Sequence, residues 1–441
     1  MKKIISMILI LVMTVSMCSC SKETGPVVAQ SSAVSEVVNK VKSEFFDLVK
    51  TELKENKTAD PEITSCFGNF ALRSLKTALT AETKGKNVMI SPASLMFALD
   101  MAASGAEGNT YSQIVGLIKK DVSKIDMLKF ANYYMNALKS EDVMSIANSV
   151  WINENSLKQD NIKINEEFLG VLREYLDAAA ETRPFNDAAK DEINSWISNK
   201  TDGMINNAID RFSDDTVMLL INALAFNGKW KDEYKSGQIN ENGNFKNYAG
   251  ESETAKMLSS EEKKYFETES EKGFLKYYEG EKYAFMAILP NNAKISINDY
   301  VSSLSDDAIT KFYKSLTDVE VDTIIPAFSF DYDIEMNDML KAMGMTEAFS
   351  MSADFSTMLD PETSGYENGL HIGKVIQKTH IDLDENGTKA AASTIVVMEK
   401  NAISIGPDAK KKVVLNRPFA FAIMDTETGT PVFAGIVNTV K

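Results

Sequence analysis

Two hydrophobic periodicities divide this chain of 441 residues. In the first half, apolar residues recur at helical spacing, which predicts helices over 64–80, 93–119, 125–140, 164–177 and 187–199. In the second half, apolar and β-branched runs predict strands over 217–226, 283–289, 323–330, 412–415, 419–424 and 431–437. Because helices dominate the first half and strands the second, the pattern favours an α+β architecture around a large, mainly antiparallel sheet.

The charge balance limits the classes of partner. The chain carries 63 acidic and 47 basic side chains, a formal net charge of −16, and 44% of its residues are hydrophobic. This apolar fraction is enough for a packed core and excludes a chain that is disordered throughout. The acidity argues against nucleic acid as the main partner, because phosphate binding requires clustered Lys and Arg.

The usual catalytic motifs do not occur in the sequence. It has no phosphate-binding loop, dinucleotide-binding glycine motif, metalloprotease helix motif or Gly-x-Ser-x-Gly turn. Two histidines, His371 and His380, are too few for a zinc site with several His ligands, and a Ser-His-Asp hydrolase would need one of them. The basic turn over 406–412 lacks the second glycine and the helix of an anion-binding loop. We therefore expect no enzymatic activity, no metal and no cofactor.

The N-terminus has the pattern of an export signal. Two lysines precede an apolar run over 4–17 that is too short to span a bilayer as a stop-transfer helix. The small Ser19 before Cys20 resembles the lipobox of bacterial lipoproteins. This resemblance implies a signal peptide over 1–19, lipidation of Cys20, and export to the bacterial cell surface, envelope or exterior. The alternative is an ordinary secretory signal with incidental cysteines.

The rest of the chain divides into an extension and one domain. Residues 20–61 are expected to form a polar tether and an amphipathic helix, since apolar residues recur at helical spacing over 34–48. Residues 62–441 contain no linker and form one predicted domain. Cys66 is its only cysteine, so its stability must come from packing rather than from an internal disulfide. The charge-dense stretch over 251–272 is expected to be a solvated face or a hairpin.

One segment, residues 382–405, is unusual. Gly387 offers a pivot there, because glycine tolerates backbone angles that other residues avoid. With a period of two, one face carries Thr388, Ala390, Ala392, Thr394, Val396 and Met398. The other face carries Lys389, Ala391, Ser393, Ile395, Val397 and Glu399, including both charges. A segment with one small, uncharged face is able to slide between two existing strands, although an ordinary amphipathic strand is the simpler interpretation.

Five ordered motifs resemble the serpin family. Gly387 to Thr394 resembles the hinge of the serpin reactive-centre loop. Residues 87–95 resemble the family's early Ser-Pro-x-Ser motif, and residues 104–110 resemble the segment that follows it. Residues 222–230 resemble the central strand that ends in Gly-Lys-Trp, and residues 415–419 with 431–438 resemble the C-terminal signature. The resemblance covers roughly residues 62–441 and leaves residues 21–61 outside.

The resemblance implies a serpin fold with three β-sheets, about nine helices and an exposed reactive-centre loop on a metastable molecule. A target protease would cleave the loop and form a covalent acyl complex, and the cleaved loop would insert into the large sheet and distort the protease. The implied hinge residues are Gly387, Thr388, Ala390, Ala391, Ala392, Ser393 and Thr394. The implied residues of the "shutter" and of the point where insertion begins are Ser91, Ser94, Asn222, Gln377 and Trp230.

The sequence departs from the family pattern at three places. Gln377 stands where His is frequent, and its amide can still donate and accept hydrogen bonds without titrating. Lys389 stands where Glu is usual, and we expect it to face solvent after insertion. The stretch before Asn416 is longer than in well-known members, so counting back from the C-terminus does not place the cleaved bond.

Counting forward from Gly387 by the usual loop length places the cleaved bond after Lys400 or Asn401. Cleavage after Lys400 would suit a trypsin- or plasmin-like target, and cleavage after Asn401 an asparagine-specific protease. Cleavage after Met398 or Val397 would suit elastase- or chymotrypsin-like enzymes. We favour Lys400, with Met398 second. The alternative is that Lys400 is only a solubilising loop charge.

The resemblance therefore predicts a monomeric suicide inhibitor of serine proteases, with cysteine proteases as a second target class. It would protect a bacterial surface or its secreted proteins, and would contact membrane only through the lipid anchor. The alternative is a non-inhibitory serpin that acts as a binding or carrier protein, which bulky or charged inward hinge residues would favour. A heparin-type cofactor is not expected, because the predicted helix over 125–140 carries only Lys129 and Lys139 at its polar positions.

Overall fold

A computed structural model of the protein describes residues 46, 49, 53, 58–140, 142–159, 163–207, 209–212, 216, 218–360, 370–388 and 410–441. The predicted signal peptide, Cys20 and almost all of the predicted amphipathic helix lie outside the described residues. So do the hinge residues 390–394 and the candidate bond positions Met398, Lys400 and Asn401. Within the described ranges, no helix is both long and apolar enough to cross a bilayer.

Ten α-helices form in the described part of the chain. They are α1 (Pro61–Ala81), α2 (Pro92–Gly105), α3 (Gly108–Gly116), α4 (Lys124–Lys139), α5 (Glu154–Gln159), α6 (Glu166–Leu176), α7 (Asp187–Lys200), α8 (Ile297–Ser303), α9 (Ala308–Lys314) and α10 (Asn337–Ala342). The predictions behind α1, α4, α6 and α7 are confirmed to within a few residues. Side-chain oxygens fix where these four helices begin by accepting from N–H groups of the first turn, at Asp60, Ser123, Asn165 and Asn186.

The prediction of one helix over 93–119 is wrong. The segment divides into α2 and α3 at Ala106 and Glu107, whose backbones are extended. The N–H of Glu107 donates to the Asp354 carbonyl at 2.9 Å instead of continuing the helix. The sequence also gave no signal for α5, α8, α9 and α10, because six or seven residues are too few to establish a helical period.

Sixteen strands form two hydrogen-bonded sheets within the described residues. They are β1 (Val88–Ile90), β2 (Met144–Asn153), β3 (Ala178–Arg183), β4 (Met218–Phe226), β5 (Gly228–Lys229), β6 (Ile239–Lys246), β7 (Ser252–Glu267), β8 (Glu271–Tyr277), β9 (Tyr283–Pro290), β10 (Thr317–Pro326), β11 (Phe328–Glu335), β12 (Ile372–Leu383), β13 (Gly387–Thr388), β14 (Lys411–Val414), β15 (Phe419–Asp425) and β16 (Thr430–Val437). Most pairs are antiparallel, as predicted.

The seven-stranded sheet has the order β3-β2-β4-β12-β13-β5, with β11 on the other edge of β12. Its two central strands, β4 and β12, run parallel and pair from Met218 with Ile372 to Ala223 with Lys378. Along β12, the odd-numbered residues from Val375 to Leu383 are buried and the even-numbered ones are partly exposed. One face of this sheet therefore covers the core.

The nine-stranded sheet has the order β1-β16-β15-β9-β8-β7-β10-β14, with β6 also paired to β7. Strand β7 is 16 residues long, pairs with β6 over its first part, and forms a hairpin with β8 at its end. The hairpin confirms the expectation for residues 251–272. Because β7 pairs with β6, β8 and β10, all four strands belong to one hydrogen-bonded sheet, and the described residues form two sheets where the resemblance implies three.

The predicted single strand over 323–330 is wrong, because the chain crosses from one sheet to the other inside it. Strand β10 ends at Pro326, and β11 begins at Phe328 in the seven-stranded sheet. Between them, the N–H of Ala327 donates to the Lys256 carbonyl at 2.8 Å. Period-two alternation does not record which sheet a strand joins, so the sequence could not show the change.

Helix α2 lies at the centre of the core. All 14 of its residues are buried, and it contacts β2, β4 and β12 of one sheet and β16 of the other. Helix α7 covers the opposite face of β2 and β4, where its Ile193 packs in a cluster with Trp151 and Ile221. Strand β4 is consequently buried on both faces, which explains why all of its residues except Asn222 are apolar.

Candidate functional site

Ser91 and Gln377 join the start of α2 to the middle of β12. The N–H of Ser91 donates to Oε1 of Gln377 at 3.0 Å, and Nε2 of Gln377 donates to the Ser91 carbonyl at 2.8 Å. Both side chains are buried. The Gln377 amide thus uses a donor and an acceptor on one backbone unit and needs no titrating group.

Ser94 and Asn222 lie in the same polar cluster, beneath the β4–β12 junction. Asn222 is the β4 residue opposite Gln377. The Ser91 hydroxyl accepts from the N–H of Ser94 at 3.1 Å and donates to the Val432 carbonyl at 2.9 Å. The structure therefore brings together all four residues that the resemblance placed in the shutter.

The cluster is incompletely bonded among the described residues. The Ser94 hydroxyl and the Asn222 carbonyl oxygen are buried and have no hydrogen-bond partner there. The Asn222 amide donates to Asn148, whose own amide donates to the Leu176 carbonyl at 3.0 Å. Because each unsatisfied buried polar group costs about 1–3 kcal/mol, the closed junction carries a local free-energy cost.

Trp230 lies at the end of the junction, apart from this cluster. Its indole Nε1 donates to the Asp384 carbonyl at 2.9 Å, and its backbone N–H donates to the Asn386 carbonyl at 2.9 Å. Its ring stacks on Tyr278 with centroids 4.4 Å apart. The Tyr278 hydroxyl in turn lies 2.6 Å from the hydroxyl of Thr388. Trp230 and Tyr278 together hold the turn that leads from β12 into the hinge.

Gly387 and Thr388 form the two-residue strand β13. Thr388 pairs with Leu383 of β12 on one side and with Gly228 of β5 on the other, and Gly387 pairs with Lys229, all antiparallel. A Cβ atom on Gly387 would lie 2.1 Å from the Gly228 carbonyl oxygen. The pivot argument for Gly387 is therefore corrected: its φ is not positive, and close backbone approach requires the glycine.

Three participants were missing from the sequence prediction. Asn148 and Tyr278 contact predicted residues, as described above. Lys276 forms a buried ion pair with Glu262 at 2.9 Å, and its ammonium lies 5.3 Å from the Trp230 ring and 4.5 Å from the Tyr234 ring. Asn148 shares one face of β2 with Ile146 and Val150, so a polar residue on an apolar face was a usable signal. The roles of Tyr278 and Lys276 depend on strand pairing, which the sequence alone does not give.

No group of three or more His, Cys, Asp or Glu side chains in the described ranges is arranged to hold a metal ion. His380 pairs with the exposed Asp331 at 2.8 Å across β11 and β12. This contact is a cross-strand surface pair, the ordinary stabilising element of an antiparallel sheet.

Comparison with known proteins agrees with this geometry. A family model described as "Serpin (serine protease inhibitor)" matches residues 67–440. The thermophilic serpin tengpin in its native state is 34% identical, covers 87% of this chain and 95% of its own, and superposes with a TM-score of 0.78. An uncharacterised serpin-like protein of Thermococcus kodakarensis is 30% identical over 83% of this chain and 84% of its own. Intracellular coagulation inhibitor 2 of Tachypleus tridentatus is 32% identical over 80% of this chain and 86% of its own.

Proposed function

The chain belongs to the serpin family, most of whose members inhibit proteases, and we propose that it is a suicide inhibitor of serine proteases. A protease cleaves the loop between β13 and β14 and is held as an acyl-enzyme. The freed segment from Lys389 onward then enters the seven-stranded sheet between β4 and β12. The observation that carries this proposal is that β13 already forms the first two residues of such a strand.

The strand registers around β13 support insertion without a shift. Thr388 lies opposite Leu383 on one side and Gly228 on the other. Continuing both antiparallel registers residue by residue places position 393 between Lys378 and Ala223. Those two residues are paired with each other in the parallel β4–β12 ladder. The two existing registers therefore agree on where an added strand would lie.

The first four added residues would meet no existing ladder. The β4–β12 pairing ends at Ala223 and Lys378, so residues 389–392 would enter where the two strands have already separated. From position 393 onward, each inserted residue would replace the pairing of β4 with β12 by two new pairings, one with each strand. Because a hydrogen bond contributes about 1 kcal/mol net, roughly a dozen inserted residues would outweigh the cost of separating β4 from β12.

Side-chain orientation supports the same direction of insertion. Residues opposite one another in paired strands project to the same face. Thr388 is buried like its neighbour Leu383, so Ala390, Ala392 and Thr394 would also face the core. Lys389 would project to the other face beside Asp382, an oppositely charged neighbour. The small side chains thus fall where space is limited, and the charge falls outside.

The target and the site of action are part of the proposal. Cleavage after Lys400 makes trypsin-like proteases the preferred targets, with Met398 as the second position and elastase-like targets. Asn401 remains the position for an asparagine-specific protease. The N-terminal pattern supports export and lipidation at Cys20, which would place a monomeric inhibitor at a bacterial surface.

A denaturing gel tests the proposal. The protein is mixed separately with trypsin, neutrophil elastase and chymotrypsin, and we expect with trypsin a covalent band near the summed masses. The mass of the released C-terminal peptide locates the bond, and a peptide that begins at Asn401 would support Lys400. Lys400→Ala is the matched variant and should lose the trypsin complex. Complete cleavage without a covalent band with all three proteases would refute inhibition.

A further inference from the structure

A cationic cavity lies between β14 and the adjoining ends of β8 and β9. Its volume is about 330 Å³, and its lining residues are Lys272, Leu289, Asn291, Lys412, Val414 and Arg417. This space is several times the roughly 30 Å³ that a water molecule occupies in the liquid. It opens beside the strand that follows the loop over 389–409.

Three of the lining side chains are cations that form no ion pair in the described part of the chain, although Glu267 lies opposite Lys272 and Asp322 opposite Lys412 in the strand pairing. Among the described residues, neither Lys272, Lys412 nor Arg417 has an acidic group within ion-pair distance. The neighbouring lysines outside the cavity differ: Lys410 pairs with Glu261, and Lys411 pairs with Glu267 at 2.6 Å. In a chain with 63 acidic side chains, three converging cations that form no such ion pair leave a local excess of positive charge.

Two of these cations are held in place by backbone carbonyls. The Lys272 ammonium donates to the Lys412 carbonyl at 3.0 Å, and the Arg417 guanidinium donates to the Pro290 carbonyl. These bonds orient the head groups but do not neutralise them. An ammonium has three donors and a guanidinium five, so donors remain for a ligand. Partial burial lowers the pKa of Arg417, which is the expected effect of desolvating a cation that no carboxylate compensates.

We propose that this cavity binds a compact anion that carries phosphate or sulfate groups. Lys272, Lys412 and Arg417 would contact its oxygens, and Leu289 and Val414 form the apolar wall that limits its size. Guanidinium and ammonium groups are the side chains best suited to such oxygens. The ligand is small and multivalent, because three charges converge on one cavity rather than line a surface track.

The bound anion would also fasten β14. This strand lies at the edge of its sheet and pairs only with β10 in the described structure. The cavity joins Lys412 of β14 to Lys272 of β8, a strand that is not paired with β14 and reaches it only through the bond from the Lys272 ammonium to the Lys412 carbonyl. An anion held by both strands would strengthen this attachment of the edge strand directly after the loop.

Equilibrium dialysis of the full chain against labelled pyrophosphate, at ionic strength held constant with chloride, tests the site. We expect one saturable pyrophosphate per chain, weakened by about tenfold or more in Lys412→Gln and in Arg417→Gln. Lys410→Gln removes one positive charge outside the cavity and is the matched control, with affinity unchanged within about twofold. Hydrogen exchange of the β14 amides should slow when pyrophosphate is bound.

Several outcomes would overturn the inference. Absence of saturable binding would remove the site. An equal loss of affinity in Lys410→Gln and Lys412→Gln would mean diffuse attraction instead of a cavity. Binding without slower exchange in β14 would remove the fastening role. Should Arg417→Gln fail to fold because the bond to Pro290 is lost, Lys412→Gln decides alone, since the Lys412 side chain is exposed.

Discussion

Asp100 is a buried carboxyl group in the middle of α2. It is 2% exposed, and its Oδ2 has no hydrogen-bond partner among the described residues. Burial raises its pKa from 3.8 to about 8, because the charged form loses its hydration. The sequence gives no sign of this, since an acidic residue within an apolar helix is ordinarily placed at the surface.

Asp100→Asn should therefore stabilise the protein in a pH-dependent way. Below about pH 4 the carboxyl is protonated in both states and contributes no pH dependence. Between about pH 4 and 8 the unfolded chain releases the proton while the folded chain keeps it, so the free energy of unfolding falls by up to about 1.4 kcal/mol per pH unit. We expect the variant to lack this decline, as measured by urea unfolding at pH 5, 7 and 9.

The control for Asp100 is Asp338→Asn, whose side chain is fully exposed on α10. It should leave the pH dependence of unfolding unchanged. An Asp100→Asn protein with the same slope as the natural chain would show that Asp100 is ionised in the fold at neutral pH.

At the scale of the residue, a functional role could be predicted where a short motif indicates it, but not where it depends on a contact between distant parts of the sequence. The family resemblance predicted Ser91, Gln377 and Trp230, and the structure places Ser91 and Gln377 at the junction and Trp230 at its end. It misjudged why Gly387 is a glycine, because the Gly228 carbonyl that approaches it is distant in sequence. For the same reason, no local pattern showed the contact between Tyr278 and Thr388.

At the scale of the element, the inserting strand has two faces with different tolerances. Continued register places Ala392 between Thr379 and Leu224, both buried, and Ala391 between the half-buried His380 and the buried Ala225. Ala392→Lys should therefore block insertion, since an unpaired ammonium would enter the core. The variant should be cleaved as a substrate, with loss of most of the covalent band on the gel.

Ala391→Lys is the matched control, because the same charge is added on the other face, where a long lysine stem can carry the ammonium past the half-buried His380 to solvent. It should retain at least about half of the covalent complex. Equal loss in both variants would mean that the loop does not enter with the register of β13. Equal retention in both would mean that inhibition does not need insertion past position 392.

Element predictions succeeded where a strand is buried along its whole length and failed where the chain changes sheet. The strands ending at Phe226 and Val437 were predicted within one residue of their observed ends, since both are largely apolar runs. The run over 323–330 was not, because Pro326 ends one strand while the alternation continues into the next. The sheet that a strand joins depends on the segment with which it pairs, whereas periodicity describes only one segment.

At the scale of the whole molecule, cleavage of the loop should raise thermal stability. Roughly ten net hydrogen bonds at about 1 kcal/mol each would raise the melting temperature by at least about 10 °C. Thermolysin, which forms no acyl-enzyme, can cut the loop, and calorimetry of the cut and intact proteins measures the rise. The cut Ala392→Lys protein is the control and should show a much smaller rise. No rise in the natural chain would contradict insertion itself.

The arrangement of the sheets was beyond sequence analysis. The central pair joins β4 to β12, which are separated by 145 residues between Phe226 and Ile372. Nothing in the sequence of either strand indicates that it pairs with the other. The family resemblance supplied this topology, whereas composition and periodicity supplied only the α+β class.

The two ends of the loop belong to different sheets, and this decides what a cut molecule is. After cleavage at Lys400, residues 401–441 are a separate polypeptide that contains β14, β15 and β16. Strand β15 lies between β9 and β16, and β16 lies between β15 and β1. The short polypeptide is thus hydrogen-bonded to strands of the longer one on both sides, through β9 and β1. A cut inhibitor is two chains that remain a single particle, and only a denaturant separates them.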